Sequence, residues 1–298
     1  MLRLLLTFLL LTACSKPNKA VLTSSPLDEV KAKRDLYMKL AIDQRDEYGW
    51  LKPKCDGLLF NSLAAYAGFP VDPLIAEKEP GLWERHPSFD CFTTGQSRST
   101  ISKDMFAGLF LYLLQQHDRE NIKEIKEYCD NHEILAGTAC VMGQASDLEA
   151  YWGRVVFNPA QRIEMARMLK MRIMTEATEI DFESHLDVLR IYRSYWIDKG
   201  LSDGDVNRLK AHAARQPNNA MFQILAHKFT DGNQEQALGI LKNEAWFPSD
   251  RLPTTKERKA DYLWQREEGQ DWLPCPDCEE ITHPGIDLMI AVKLLEDE

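Results

Sequence analysis

The apolar run Met105–Leu114, MFAGLFLYLL, constrains the fold of this chain more than any other stretch. A segment that apolar on all sides belongs inside a protein, and its length suits a helix better than a strand. Around it the apolar residues recur at helical spacing. Leu27, Val30, Leu36 and Leu40 mark a helix over 26–48, which Gly49 ends. Helices are also predicted over 58–67, 121–131, 159–174, 182–199, 218–229, 234–243 and 285–295. Ser202-Asp203-Gly204-Asp205 resembles a capping box and opens another, to Arg215. Period-2 alternation is not sustained anywhere, and no Asn-Gly or Asp-Gly sits between β-branched runs. The predicted class is all-α, built from helical hairpins with long ordered loops.

The polar stretch Gly81–Met105 feeds directly into that apolar helix. It carries Trp83, Glu84, Arg85, His86, Asp90, Cys91, Arg98 and Asp104. A loop fixed by a rigid scaffold is where binding and catalytic side chains concentrate. Glu84, Arg85 and Asp104 are expected to share one concave site with Trp83 as a wall. Asp56 would join them if Cys55 is bonded to Cys91, because a disulfide brings its two loops within several ångströms. Asp56, Glu84 and Asp104 are then the acid and base candidates for a hydrolytic site. Each acid also has an innocent role. Asp104 suits the first turn of the apolar helix, and Asp56 can cap the helix that follows it.

The N-terminus addresses compartment. Residues 1–13, MLRLLLTFLLLTA, place Arg3 before a short apolar core, the order of a secretory signal and too short to span a bilayer. Leu11-Thr12-Ala13-Cys14 resembles the lipobox of bacterial lipoproteins. The resemblance implies cleavage before Cys14, acylation of its thiol and new amino group, and a bilayer as partner. Ser15 after the cysteine implies the outer membrane rather than the inner. Residues 14–25 then form the lipidated end and a polar tether, and 26–298 a single domain.

Removing the signal takes away Arg3 and no acid. That leaves 35 basic against 46 acidic residues, a net charge of −11, which argues against nucleic acid as a partner. With Cys14 lipidated, six cysteines remain: Cys55, Cys91, Cys129, Cys140, Cys275 and Cys278. An even number in an exported chain implies three disulfides. Sequence order favours neighbouring pairs, but fifteen connectivities stay open. The oxidising compartment also argues against Cys91 acting as a nucleophile with His86. Cys275-Pro-Asp-Cys278 has no second CxxC with which to complete a zinc site, so neither metal nor cofactor is expected.

Two further resemblances concern the domain. WERHP, then SRSTISKDMFAGL, and much later DYLWQR are similar to parts of the (α/α) toroids of carbohydrate-active proteins. That likeness implies a central cleft in which Trp83, Arg85, Trp264 and Arg266 bind a glycan. The alternative is that the tryptophans pack between helices. Pro217–Lys242 resembles one tetratricopeptide unit, with no second copy at a period near 34 residues. Two functions therefore stay open: a glycan-binding or glycan-processing envelope lipoprotein, and a non-catalytic interaction or assembly lipoprotein.

Overall fold

The computed structural model describes residues 25–51, 57–89, 101, 103–131, 188–189, 191, 200–254, 257 and 282–297. These residues are largely helical, 62% helix against 6% strand. In chain order they form α1 (Pro26–Ile42), α2 (Gly57–Tyr66), a 3-10 turn (Pro73–Ala76), β1 (Glu77–Glu79), β2 (Leu82–Trp83), α3 (Lys103–Gln115) and α4 (Arg119–Asn131). After these come α5 (Asp203–Arg215), α6 (Ala220–Phe229), α7 (Gln234–Lys242) and α8 (Ile286–Glu296). None of the described helices is long and apolar enough to cross a membrane.

Local chemistry sets most of the helix starts. Ser25 and Asp28 form a reciprocal capping box at α1, with Pro26 in the first turn. Ser202, Asn219 and Asn233 cap α5, α6 and α7 with their side-chain oxygens. The spacing had predicted α1 as far as Tyr48, but the helix stops at Ile42. Beyond it the Asp46 carboxylate takes the amides of Tyr48 and Trp50, which a continuing helix would need.

Packing runs through two helices that are apolar on nearly every face. Nine of the ten residues of α2 and nine of the eleven of α8 are buried. Helix α2 packs on α3 and α8, α8 packs on α6, and α6 packs on both α5 and α7. Helix α1 lies across α7 and α8. The buried face of α1 is Val30, Lys33, Tyr37 and Ala41. Lys33 reaches inward to give its ammonium to the carbonyl of Phe247, at 2.6 Å, and to Glu244, at 2.8 Å. The tetratricopeptide-like stretch is the α6–α7 hairpin. Gly232 approaches the Ala226–His227 backbone so closely that a Cβ there would overlap it.

One element departs from the predicted class. Strands β1 and β2 pair antiparallel, Glu77 with Trp83 and Glu79 with Leu82, through a bulge. The hairpin is too short to leave an alternation in the sequence. Pro80-Gly81 is its turn signal. Gly81 sits at φ +79°, and a Cβ there would overlap the carbonyl of Glu124 in α4.

Candidate functional site

The chain leaving α1 and the chain leaving β2 meet at one corner, and polar side chains tie it together. Asp46 Oδ1 accepts the N–H groups of Tyr48 and Trp50, each at 2.9 Å. Its own N–H donates to the carbonyl of Trp50 at 2.8 Å, and Gly49 supplies the positive φ that closes the turn. Asn61, fully buried on α2, fixes this turn to the core. Its carbonyl accepts the Leu51 N–H at 2.8 Å, and its amide donates to the carbonyls of Leu51 and Gly57, at 3.1 and 2.8 Å. The Trp50 indole donates to the Asp72 carbonyl at 2.8 Å, and the Leu58 N–H donates to the Arg85 backbone carbonyl at 2.9 Å.

From the other side comes His86, only 2% exposed. Its Nε2 lies 2.7 Å from Asp46 Oδ2, and its Nδ1 lies 2.8 Å from Ser88 Oγ. The backbone N–H of Ser88 also points at Nδ1, at 3.1 Å. An amide can only donate, so Nδ1 offers its lone pair and the ring proton sits on Nε2, facing Asp46. The imidazole meets Tyr48 and Trp50 edge-on, at ring separations of 5.3 and 5.5 Å. The turn closes with the Phe89 N–H on the His86 carbonyl at 3.0 Å. Phe89 itself sits at φ +55°, a strained conformation for a bulky residue. It leaves the ring 40% exposed, with the Lys78 ammonium over it, 5.7 Å from the centroid. Tyr48 is 41% exposed. Tyr48 and Phe89 thus leave aromatic surface open at a corner whose centre is a buried Asp–His pair.

The hairpin also carries acids. Glu84 is buried, and Lys78 Nζ lies 3.3 Å from its carboxylate. Burial pushes the Glu77 carboxyl above the usual 4.5, although the Gly81 N–H bonded to it pulls the other way. Glu124 and Asp118 push it further up.

Of the residues marked in the sequence, Trp83, Glu84 and Arg85 follow one another along the end of β2. The Trp83 ring is in the core, 2% exposed, packed among helices. Glu84 faces Lys78, and Arg85 is half-buried. Asp104 occupies the first turn of α3, and Cys129 lies in α4. Cys14, Cys55, Asp56, Cys91, Cys140, Trp264, Arg266, Cys275 and Cys278 lie outside the described residues. Several residues of the corner went unmarked in the sequence, among them Tyr48, Phe89, Asp46 and Ser88. Asp46 had a signal, since an Asp two residues before Tyr48 and three before Gly49 can close a turn on its own carboxylate. Ser88 had Pro87 before it, a turn opener. Among the described residues no group of three or more His, Cys, Asp and Glu side chains could hold a metal. No protein family, no curated protein and no solved structure matches this chain.

Proposed function

We propose that the protein is an exported lipoprotein, anchored in the cell envelope through Cys14, whose helical domain contacts glycan at the Tyr48–Phe89 corner. The anchor rests on Leu11-Thr12-Ala13-Cys14 and the apolar segment before it. The glycan contact rests on one observation: Tyr48 and Phe89, each about two-fifths exposed, flank the polar His86 turn beside Lys78. Open aromatic faces next to hydrogen-bonding groups suit sugar rings, which present C–H faces and hydroxyl edges. Glu84 and Arg85 stand beside this corner. In a glycan-processing protein Asp56 and Asp104 would join Glu84 as acid and base, and Trp264 and Arg266 would extend the binding surface. The paired packing of α2 with α3, and of α6 with α5 and α7, is the kind from which an (α/α) toroid is assembled.

Two measurements test this. Full-length protein is labelled with a fatty-acid probe, and Cys14→Ala is expected to lose both the label and membrane association. Full-length protein in detergent is then passed over peptidoglycan and a glycan array. Binding that disappears in Tyr48→Ala/Phe89→Ala supports the glycan reading. Absence of binding to every glycan, with the anchor intact, favours an assembly role through the α5–α7 hairpins.

A further inference from the structure

The turn of the β1–β2 hairpin seats on α4, and an acid lies at the seat. Gly81 is buried there, and a Cβ on it would overlap both the Glu124 carbonyl and the Tyr128 side chain. The Gly81 N–H donates to Glu77 Oε1 at 2.7 Å. The Glu77 carboxylate, half-buried, is thus tied to the residue that touches the α4 backbone. Among the described residues the charges acting on it are Glu124 in α4 and Asp118 at the start of α4, both negative. Asp118 also acts, with Asp72, on Tyr112 of α3. The neighbouring lysines are committed elsewhere. Lys78 gives its ammonium to Glu84 at 3.3 Å, and Lys123 lies 3.2 and 3.7 Å from Glu120 and Glu127.

This seat leads straight into the corner. The Glu84 N–H, just past β2, donates to the Ala76 carbonyl, just before β1, at 3.0 Å. Lys78 of β1 lies over the Phe89 ring, 5.7 Å from its centroid. The firmness of the hairpin on α4 therefore bears on the residues that flank Phe89. A charged Glu77 works against that seat, because docking takes its carboxylate out of water and brings it toward two like charges. A protonated Glu77 does not. It keeps an oxygen for the Gly81 N–H, so the turn retains its bond while the charge disappears.

We propose that the β1–β2 hairpin is a proton-sensitive latch: protonation of Glu77 tightens its seat on α4, and deprotonation lets it lift. This goes beyond the glycan reading and stands without it. The sign follows from linkage. Burial, opposed by the Gly81 N–H and reinforced by Glu124 and Asp118, raises the Glu77 carboxyl above 4.5 in the seated hairpin. In the lifted hairpin the carboxyl returns to water and to its ordinary value. Protons therefore bind the seated form more tightly, and acid favours it. The gain grows as the pH falls through the raised value. It is complete by about 4.5, where the lifted carboxyl also takes up a proton.

The test is native-state hydrogen exchange on the full-length protein in detergent, followed by mass spectrometry between about pH 7 and pH 4.5. Each rate is divided by that of unstructured peptide at the same pH, which removes the pH dependence of exchange itself. Protection of residues 77–84 should rise as the pH falls, relative to residues 286–296 of α8 in the same sample. Glu77→Gln keeps an oxygen for Gly81 and should show the acid level of protection at every pH. Glu124→Gln should raise hairpin protection at pH 7 by less than Glu77→Gln does, because burial of Glu77 remains. Unaltered protection of α8 in each variant shows that the fold is kept. Hairpin protection that follows α8 at every pH would overturn the proposal, as would a pH response that persists in Glu77→Gln. No gain in Glu124→Gln at pH 7 would also overturn it, since the titration would then not be felt at the α4 seat.

Discussion

Helix α8 and the His86 ring at the centre of the Asp46–His86 corner are both buried, but opposite kinds of force hold the two regions. Helix α8 is covered on nearly every face by apolar neighbours, and its start has no side-chain cap. It is held by shape. Gly285 sits at φ +75° under the Tyr37 ring, where a Cβ would overlap the ring. The corner is held by side chains that each satisfy a particular backbone group: Asn61 for Leu51 and Gly57, Asp46 for Tyr48 and Trp50, and the Trp50 indole for Asp72. Apolar burial is non-directional, so many side chains of suitable size serve equally well. Hydrogen bonds have a direction and a donor, so few substitutes serve. A fold that fixes a turn by this second means also fixes the orientation of His86.

The largest effects should follow from this difference. Leu288→Ala in α8 removes a fully buried side chain and is expected to cost about 3 kcal/mol in urea unfolding. Leu288→Met should cost less than about 1.5 kcal/mol, because volume is kept. The corner should not forgive a swap of equal size. Asn61→Ala leaves the Leu51 N–H and two carbonyls without their partner and should cost about 2–3 kcal/mol. Asn61→Asp is expected to be at least as damaging. A carboxylate accepts the Leu51 N–H but cannot donate to the carbonyls of Leu51 and Gly57. A tolerated Asn61→Asp, with Leu288→Met poorly tolerated, would reverse this account of the two regions. Asn219→Ala at the start of α6 should cost less than either, about 1 kcal/mol, and Asn219→Gly only a few tenths.

The same difference explains what the sequence disclosed. Helices α2 to α8 follow from apolar spacing and caps, and their bounds fall within about two residues of the described ones. The error at the end of α1 came from a polar competitor. Leu36 and Leu40 carried its apolar period, yet Lys33 and Tyr37 are the buried residues. Lys33 is buried because its ammonium finds the Phe247 carbonyl and Glu244, a long-range match that no local pattern contains. The corner was legible only in part for the same reason. The stretch after Gly81 stood out for its density of polar groups. Its partner Asp46 lies 40 residues away, and only the fold brings it to His86. Trp83 shows the converse. Its position beside three polar residues made it a candidate wall, but β-pairing with Glu77 fixes it into the core.

The smallest effects concern two glutamates, one beside each region, whose shifts have opposite signs. Glu257 lies near the segment that leads to α8. Arg251 and the Thr254 N–H hold its carboxyl down at about 2, against the usual 4.5. A depressed acid contributes stability that is fully present above about 4.5 and is lost as the pH falls toward about 2. Glu77 in the hairpin is raised, chiefly by burial, so its charged form disfavours the fold at neutral pH. That penalty disappears as the pH falls through its raised value and is gone by about 4.5, where the unfolded carboxyl also takes up a proton. Glu77→Gln keeps an oxygen for the Gly81 N–H and is expected to raise the thermal midpoint at pH 7, with the gain shrinking toward pH 4.5. Glu257→Gln should lower the midpoint at pH 7 and at pH 5, and the loss should vanish only in strong acid. Salt separates the two mechanisms. The Arg251–Glu257 pair is exposed, so 1 M NaCl should remove much of the Glu257→Gln loss. Burial is not screened, so the Glu77→Gln gain should largely survive the same salt. A gain that disappears in salt would mean that repulsion from Glu124 and Asp118, rather than desolvation, sets the cost at Glu77.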